Sequence, residues 1–171
     1  MNKSKKRIVL ALLLTAIIAF LSYPIIAVGI ISGALFNPRI DHPRMERIFV
    51  ADYDLLVIVT NYLITSGHAS PSISPQRDAE VMFVFSNDFG GQHIPISDEN
   101  VVNAVRRLSR RGYSSINKSS GIITFTRWSS LNTGRGILYS IDGTRPDTSI
   151  LTFFTMLEPL SRSGWFFYEA N

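Results

Sequence analysis

The chain of 171 residues contains no cysteine. No disulfide staples it, no thiol is available as nucleophile or metal ligand, and no lipobox-type lipidation is possible. Stability must come from packing. Histidine is nearly as scarce. His42, His68 and His93 are the only three, and no two stand at metal-ligand spacing, so neither a metal site nor a bound cofactor is expected. Charge is missing altogether from one stretch: between Ile8 and Phe36 no side chain is charged.

That stretch directly follows the basic tail Met1-Asn2-Lys3-Ser4-Lys5-Lys6-Arg7. A bilayer core needs about 20 apolar residues as helix, because a spanning backbone must satisfy its own N–H and C=O groups. The run 8–36 meets that length even when tilted. Four cations on its N-terminal side place the tail 1–7 in the cytoplasm by the positive-inside rule. A small-x-small site, Ser32-Gly33-Ala34, ends the run, but a secretory h-region spans only about 7–15 residues, so a retained anchor is expected. Within the run, Gly29 and Gly33 have the small-xxx-small spacing that lets two helices approach, a possible homodimer contact.

The same run explains the charge balance. The chain carries 17 Lys+Arg against 13 Asp+Glu, and the tail holds four of the cations and none of the acids. Beyond Phe36 the signs therefore balance, and the net charge of +4 is a topology signal. With the domain neutral and outside the cytoplasm, nucleic acid is excluded as a partner.

After a polar linker, 37–43, the residues 44–171 suffice for one extracytoplasmic domain with a sizeable core. A helix is expected over Arg44–Ile64, stopped by Gly67, with a buried strand at 55–59 as the alternative because three of those five residues are β-branched. Asp52 and Asp54 argue against a second span there. Residues 68–77, with Pro71 and Pro75, read as loop, and 81–85 as strand. Ser97 is the expected N-cap of a second helix whose buried stripe is Val101, Val105 and Leu108, with Gly112 as its stop. From Tyr113 onward, alternating apolar segments separated by Lys118–Gly121 and Asp142-Gly143 read as antiparallel sheet. The expected fold is α+β: an N-terminal transmembrane helix, then about two helices and an antiparallel sheet of five to six strands.

Chemistry is sparse. Arg106, Arg107, Arg110 and Arg111 form the densest cationic cluster outside the tail; their spacing puts them on a solvated helix face, available for contact with lipid headgroups or cell-wall polymer. Ser115-Ile116-Asn117-Lys118 has the Ser-x-x-Lys spacing of acyl-transfer enzymes, but across a strand and turn the two side chains would not share a face. Asp88-Phe89-Gly90 has no kinase companion motif, and Gly134-Arg135-Gly136 precedes strand, not the helix N-terminus a phosphate loop needs. His93 is the one candidate catalytic base, and a metal site would have to recruit scattered carboxylates such as Asp88 or Glu99. Trp128 and the run Trp165-Phe166-Phe167-Tyr168 could offer rings to a sugar or peptide, although alternation sends Trp165 and Phe167 to one face and Phe166 and Tyr168 to the other.

The segments Arg127-Trp128-Ser129, Gly134-Arg135-Gly136-Ile137-Leu138-Tyr139-Ser140-Ile141-Asp142-Gly143, Leu157-Glu158-Pro159-Leu160 and Gly164-Trp165-Phe166-Phe167-Tyr168-Glu169 resemble the C-terminal part of small bacterial membrane-anchored proteins of uncharacterised function. The resemblance implies the same single-pass topology and carries no activity. The expected function is a membrane-tethered module acting by binding or assembly, with the lipid bilayer and an envelope protein or cell-wall polymer as partners. The alternatives are a small envelope hydrolase, or a sensor dimerising through its transmembrane helix.

Overall fold

A computed structural model of the chain describes residues 41–76, 81–86, 91–129, 133–147 and 153–171. The tail 1–7, the uncharged run 8–36 with Gly29 and Gly33, and the linker as far as residue 40 lie outside them. So does Asp88.

Asp41 opens the first helix, α1 (His42–Thr65): its carboxylate accepts from the Arg44 N–H at 3.0 Å, and Pro43 stands in the first turn, where its missing N–H leaves no bond unmade. The helix thus begins two residues before the expected Arg44. Met45, Phe49, Asp52, Leu56, Val59 and Leu63 recur at intervals of three and four and are all buried. That continuous period is why residues 55–59 are helix and not the alternative strand. By length and composition alone, α1 is long and apolar enough to cross a membrane, the one such helix among the described residues. Its inner face, however, is the core of the domain. Its last turn is closed by Lys118, whose Nζ donates to the carbonyls of Leu63 and His68, both at 2.9 Å.

The second helix, α2 (Glu99–Arg110), is capped by Asp98 and not by Ser97. The Asp98 carboxylate accepts from the N–H groups of Asn100 at 2.9 Å and Val101 at 3.4 Å, a charge-assisted cap that a serine hydroxyl one residue earlier cannot match. Val101, Ala104, Val105 and Leu108 are buried as the stripe requires. At the other end Gly112 takes φ +93°, the Gly112 N–H bonds Ser109 O at 3.0 Å, and the Tyr113 N–H bonds Leu108 O at 3.1 Å. This pair of bonds is a Schellman motif, which a left-handed glycine permits.

Among the described residues, eight strands form one antiparallel sheet in the order β3-β2-β1-β4-β5-β6-β8-β7. They are β1 (Pro71–Ile73), β2 (Phe83–Ser86), β3 (Gln92–Pro95), β4 (Ser115–Ser119), β5 (Ile122–Ser129), β6 (Gly134–Ser140), β7 (Phe154–Pro159) and β8 (Trp165–Ala170). The expectation of five to six strands is therefore too low. The additional β1 and β3 are three and four residues long and carry Pro71 and Pro95 at their ends, where a missing N–H is tolerated. β4 and β5 join through Ser120-Gly121, both at positive φ, the geometry of a two-residue type I′ hairpin.

Both helices pack on one face of the sheet. There Ile73, Val84, Ile116, Phe125, Ile137 and Phe167 meet the buried stripes of α1 and α2. Trp165 lies in this layer with ring centroids 5.4 Å from Phe49, 4.8 Å from Tyr139 and 6.1 Å from Phe125. The alternation expected of β8 holds, and Phe166 and Tyr168 join Ile122, Leu138, Phe154 and Leu157 in a second apolar cluster on the opposite face. All four rings of Trp165–Tyr168 are buried, so none is offered to a sugar or peptide.

Candidate functional site

The sequence-derived candidates are not brought together. His93 stands on β3, an edge strand, with its ring 5.2 Å from that of Phe85 and 6.1 Å from that of Phe83. It lines a cavity of about 360 Å³ with Ser72 and Ser74. The Ser72 hydroxyl donates to Asn117 Oδ1 at 2.7 Å instead of to the imidazole. Among the described residues no carboxylate lines that cavity, and Glu99 opens α2. Ser115 and Lys118 lie on β4, where Lys118 faces the C-terminus of α1, so the Ser-x-x-Lys pair is split across the strand. No group of three His, Asp or Glu that could hold a metal occurs among the described residues.

The four arginines of α2 divide. Arg106 donates to Asn103 Oδ1 at 3.0 Å, and Arg107 and Arg110 are exposed. Arg111 leaves the group. It is the C-cap residue, and the turn at Gly112 swings it toward α1, where Nη1 donates to Ala51 O at 2.9 Å and to Asp52 Oδ1.

Asp52 is the centre of a cluster that local motifs did not reveal. Only 3% of it is exposed, at a core position of α1. Its Oδ1 takes Arg111, its Oδ2 accepts from Tyr113 Oη at 2.9 Å, and Arg127 Nη1 stands 3.7 Å from Oδ2. The Arg127 guanidinium also lies over the Tyr113 ring, 5.5 Å from its centroid. Burial, and then the Asp52 charge beside it, hold the Tyr113 hydroxyl far above its usual range, so it stays a donor at any physiological pH.

The Schellman turn supplies this geometry, because it places Arg111 and Tyr113, its C-cap and second residue beyond, on either side of the Asp52 carboxylate. Arg127 comes from β5, whose register shifts between Thr126 and Trp128 at a bulge. Outside the buried carboxylate the cluster opens into a surface concavity of about 410 Å³, also lined by Arg44 and Arg47 of α1. Both are exposed, and their guanidinium groups make no hydrogen bond or ion pair among the described residues. Four arginines thus line a concavity that holds one carboxylate. Asp52 is saturated with donors and is not free to take a substrate proton; the arginines can hold an anion.

The signal for this site was present in α1. Asp52 lies three residues after Phe49 and four before Leu56, which puts a carboxylate inside the apolar stripe, where it must find partners. No family model, curated protein or solved structure matches the chain.

Proposed function

We propose that the chain is a single-pass membrane protein, N-terminus in the cytoplasm, that presents its α+β domain outside as a binding or assembly module for another envelope component. The observation that carries this reading is the uncharged run 8–36 directly after four cations. The disposition of buried charge supports binding over turnover. Asp52 is committed to Arg111 and Tyr113, Lys118 to the Leu63 and His68 carbonyls, and Glu169 to Arg135 at 2.8 Å, which leaves recognition to exposed groups. Protease added outside intact spheroplasts should degrade residues 37–171; a domain protected until lysis overturns the topology. Photo-crosslinking from the domain in membranes should capture a specific component. Capture of none, with the domain also inert toward wall glycans, overturns the binding half.

One observation favours a second reading, a small envelope hydrolase: the cavity that His93 shares with Ser72 and Ser74. Ester or amide hydrolysis that disappears in both His93→Ala and Ser74→Ala would establish it.

A further inference from the structure

We propose that Arg44, Arg47, Arg111 and Arg127 form a binding site for a tetrahedral oxyanion, occupied by the phosphate of an anionic phospholipid headgroup. The choice of lipid as source rests on the membrane reading above; the anion site itself does not.

Beyond Phe36 the chain is neutral overall, so the cationic character here is a local arrangement and not a share of a general positive field. Four arginines line one concavity and Asp52 is the one acid among its lining residues, which leaves a net charge of three positive there. Asp52 has a second effect. By holding Arg111 and Arg127 from behind it fixes two flexible side chains, so less ordering entropy is lost when a ligand arrives. Arg111 uses Nη1 for both Ala51 and Asp52, and its remaining N–H groups have no bond among the described residues. Arg44 and Arg47 are exposed on the first two turns of α1 and carry no competing partner there. A phosphate group, with several oxygens that each accept charge-assisted bonds, matches paired guanidinium forks better than a monovalent halide does.

The source follows from the tether. On the membrane reading the domain is tethered to a bilayer, whose phospholipid phosphates are the most concentrated oxyanions it would meet.

The test uses the full chain, ¹⁵N-labelled, in nanodiscs of phosphatidylcholine alone or with phosphatidylglycerol, and reads the arginine Nε–Hε resonances. In phosphatidylcholine discs, inorganic phosphate should shift Arg44, Arg47, Arg111 and Arg127 with saturation. Phosphatidylglycerol discs should show those shifts without added phosphate and weaken the response to it at least tenfold. The double variant Arg44→Gln/Arg47→Gln, which removes no hydrogen bond or ion pair among the described residues, should weaken phosphate binding at least tenfold. No phosphate response in any disc overturns the site. An equal response in both discs retains an oxyanion site but overturns the lipid as its occupant. Binding unchanged by Arg44→Gln/Arg47→Gln overturns the residue assignment, and the protease experiment separately detects failure of the topology.

Discussion

Asp52→Asn isolates the charge at the centre of the arginine cluster, since it keeps the shape of the side chain. The asparagine oxygen can remain toward Arg111 while its NH₂ takes the place of Oδ2. The Tyr113 hydroxyl, 2.9 Å away, then turns from donor to acceptor, so the number of hydrogen bonds is conserved. What is lost is the counter-ion of Arg111 and Arg127. Removing one partner of a fully buried pair costs about 3–5 kcal/mol. These arginine side chains are 37% and 25% exposed, so water can solvate part of the stranded charge, and about 2 kcal/mol is expected. At about 4 °C per kcal/mol for a domain of this size, that is a fall of about 8 °C in Tm. Thermal denaturation of the full chain in neutral detergent, followed by near-ultraviolet circular dichroism, measures it. Tyr113→Phe alone should cost about 1 kcal/mol, and the double variant should cost less than the two added, because both act on the same carboxylate. A Tm for Asp52→Asn within about 2 °C of the parent, or strict additivity of the pair, would refute the account of this cluster as one electrostatic unit.

The other predictions concern the sheet and the core. Stability should fall as pH rises from 10 toward 12: burial raises both Tyr113 and Tyr168, Tyr168 to about 12, so the folded state keeps protons that the unfolded chain has already lost. Each tyrosine contributes about 1.4 kcal/mol per pH unit in that window, which urea titrations at pH 9, 10 and 11 would read; equal midpoints at pH 9 and 11 would contradict it. Gly136→Ala should cost at least about 3 kcal/mol or prevent folding, because a Cβ there would run into the backbone carbonyl of Phe125 on the paired strand, and soluble variant with an unchanged urea midpoint would show that β5 can move aside. Thr60→Val should raise stability by about 1 kcal/mol, since the buried Thr60 hydroxyl has no hydrogen-bond partner among the described residues; a lower Tm in the valine variant would mean the hydroxyl is satisfied.

Local physics made some elements legible and concealed others. α2 could be read because its determinants lie within one helix: an acidic cap region, a stripe at Val101, Val105 and Leu108, and a glycine stop. The cap was displaced by one residue only because Ser97 and Asp98 both qualify and a carboxylate binds the free N–H groups more strongly. β1 could not be read. Three residues beginning with proline have no usable period, and they are a strand only because Ile73 pairs with Ile116 on one side and Val84 on the other. β3, with Pro95, is likewise defined by its pairing with β2.

The arginine site shows the same division within single residues. Spacing placed Arg111 with Arg106, Arg107 and Arg110, but helical spacing holds only inside the helix, and Arg111 sits at the C-cap, where the left-handed Gly112 redirects the chain. Asp52 entered the sequence reading only as an argument against a second span, although it stands in register with Phe49 and Leu56. Its partners were not legible, because Arg111 and Tyr113 lie 59 and 61 residues away along the chain and arrive only when α1 and α2 pack. A charge at a core position therefore tells a reader that partners exist, and the turn ending a neighbouring helix is where to look for them, since the residues flanking a Schellman glycine are the ones a helix end can aim across at its neighbour.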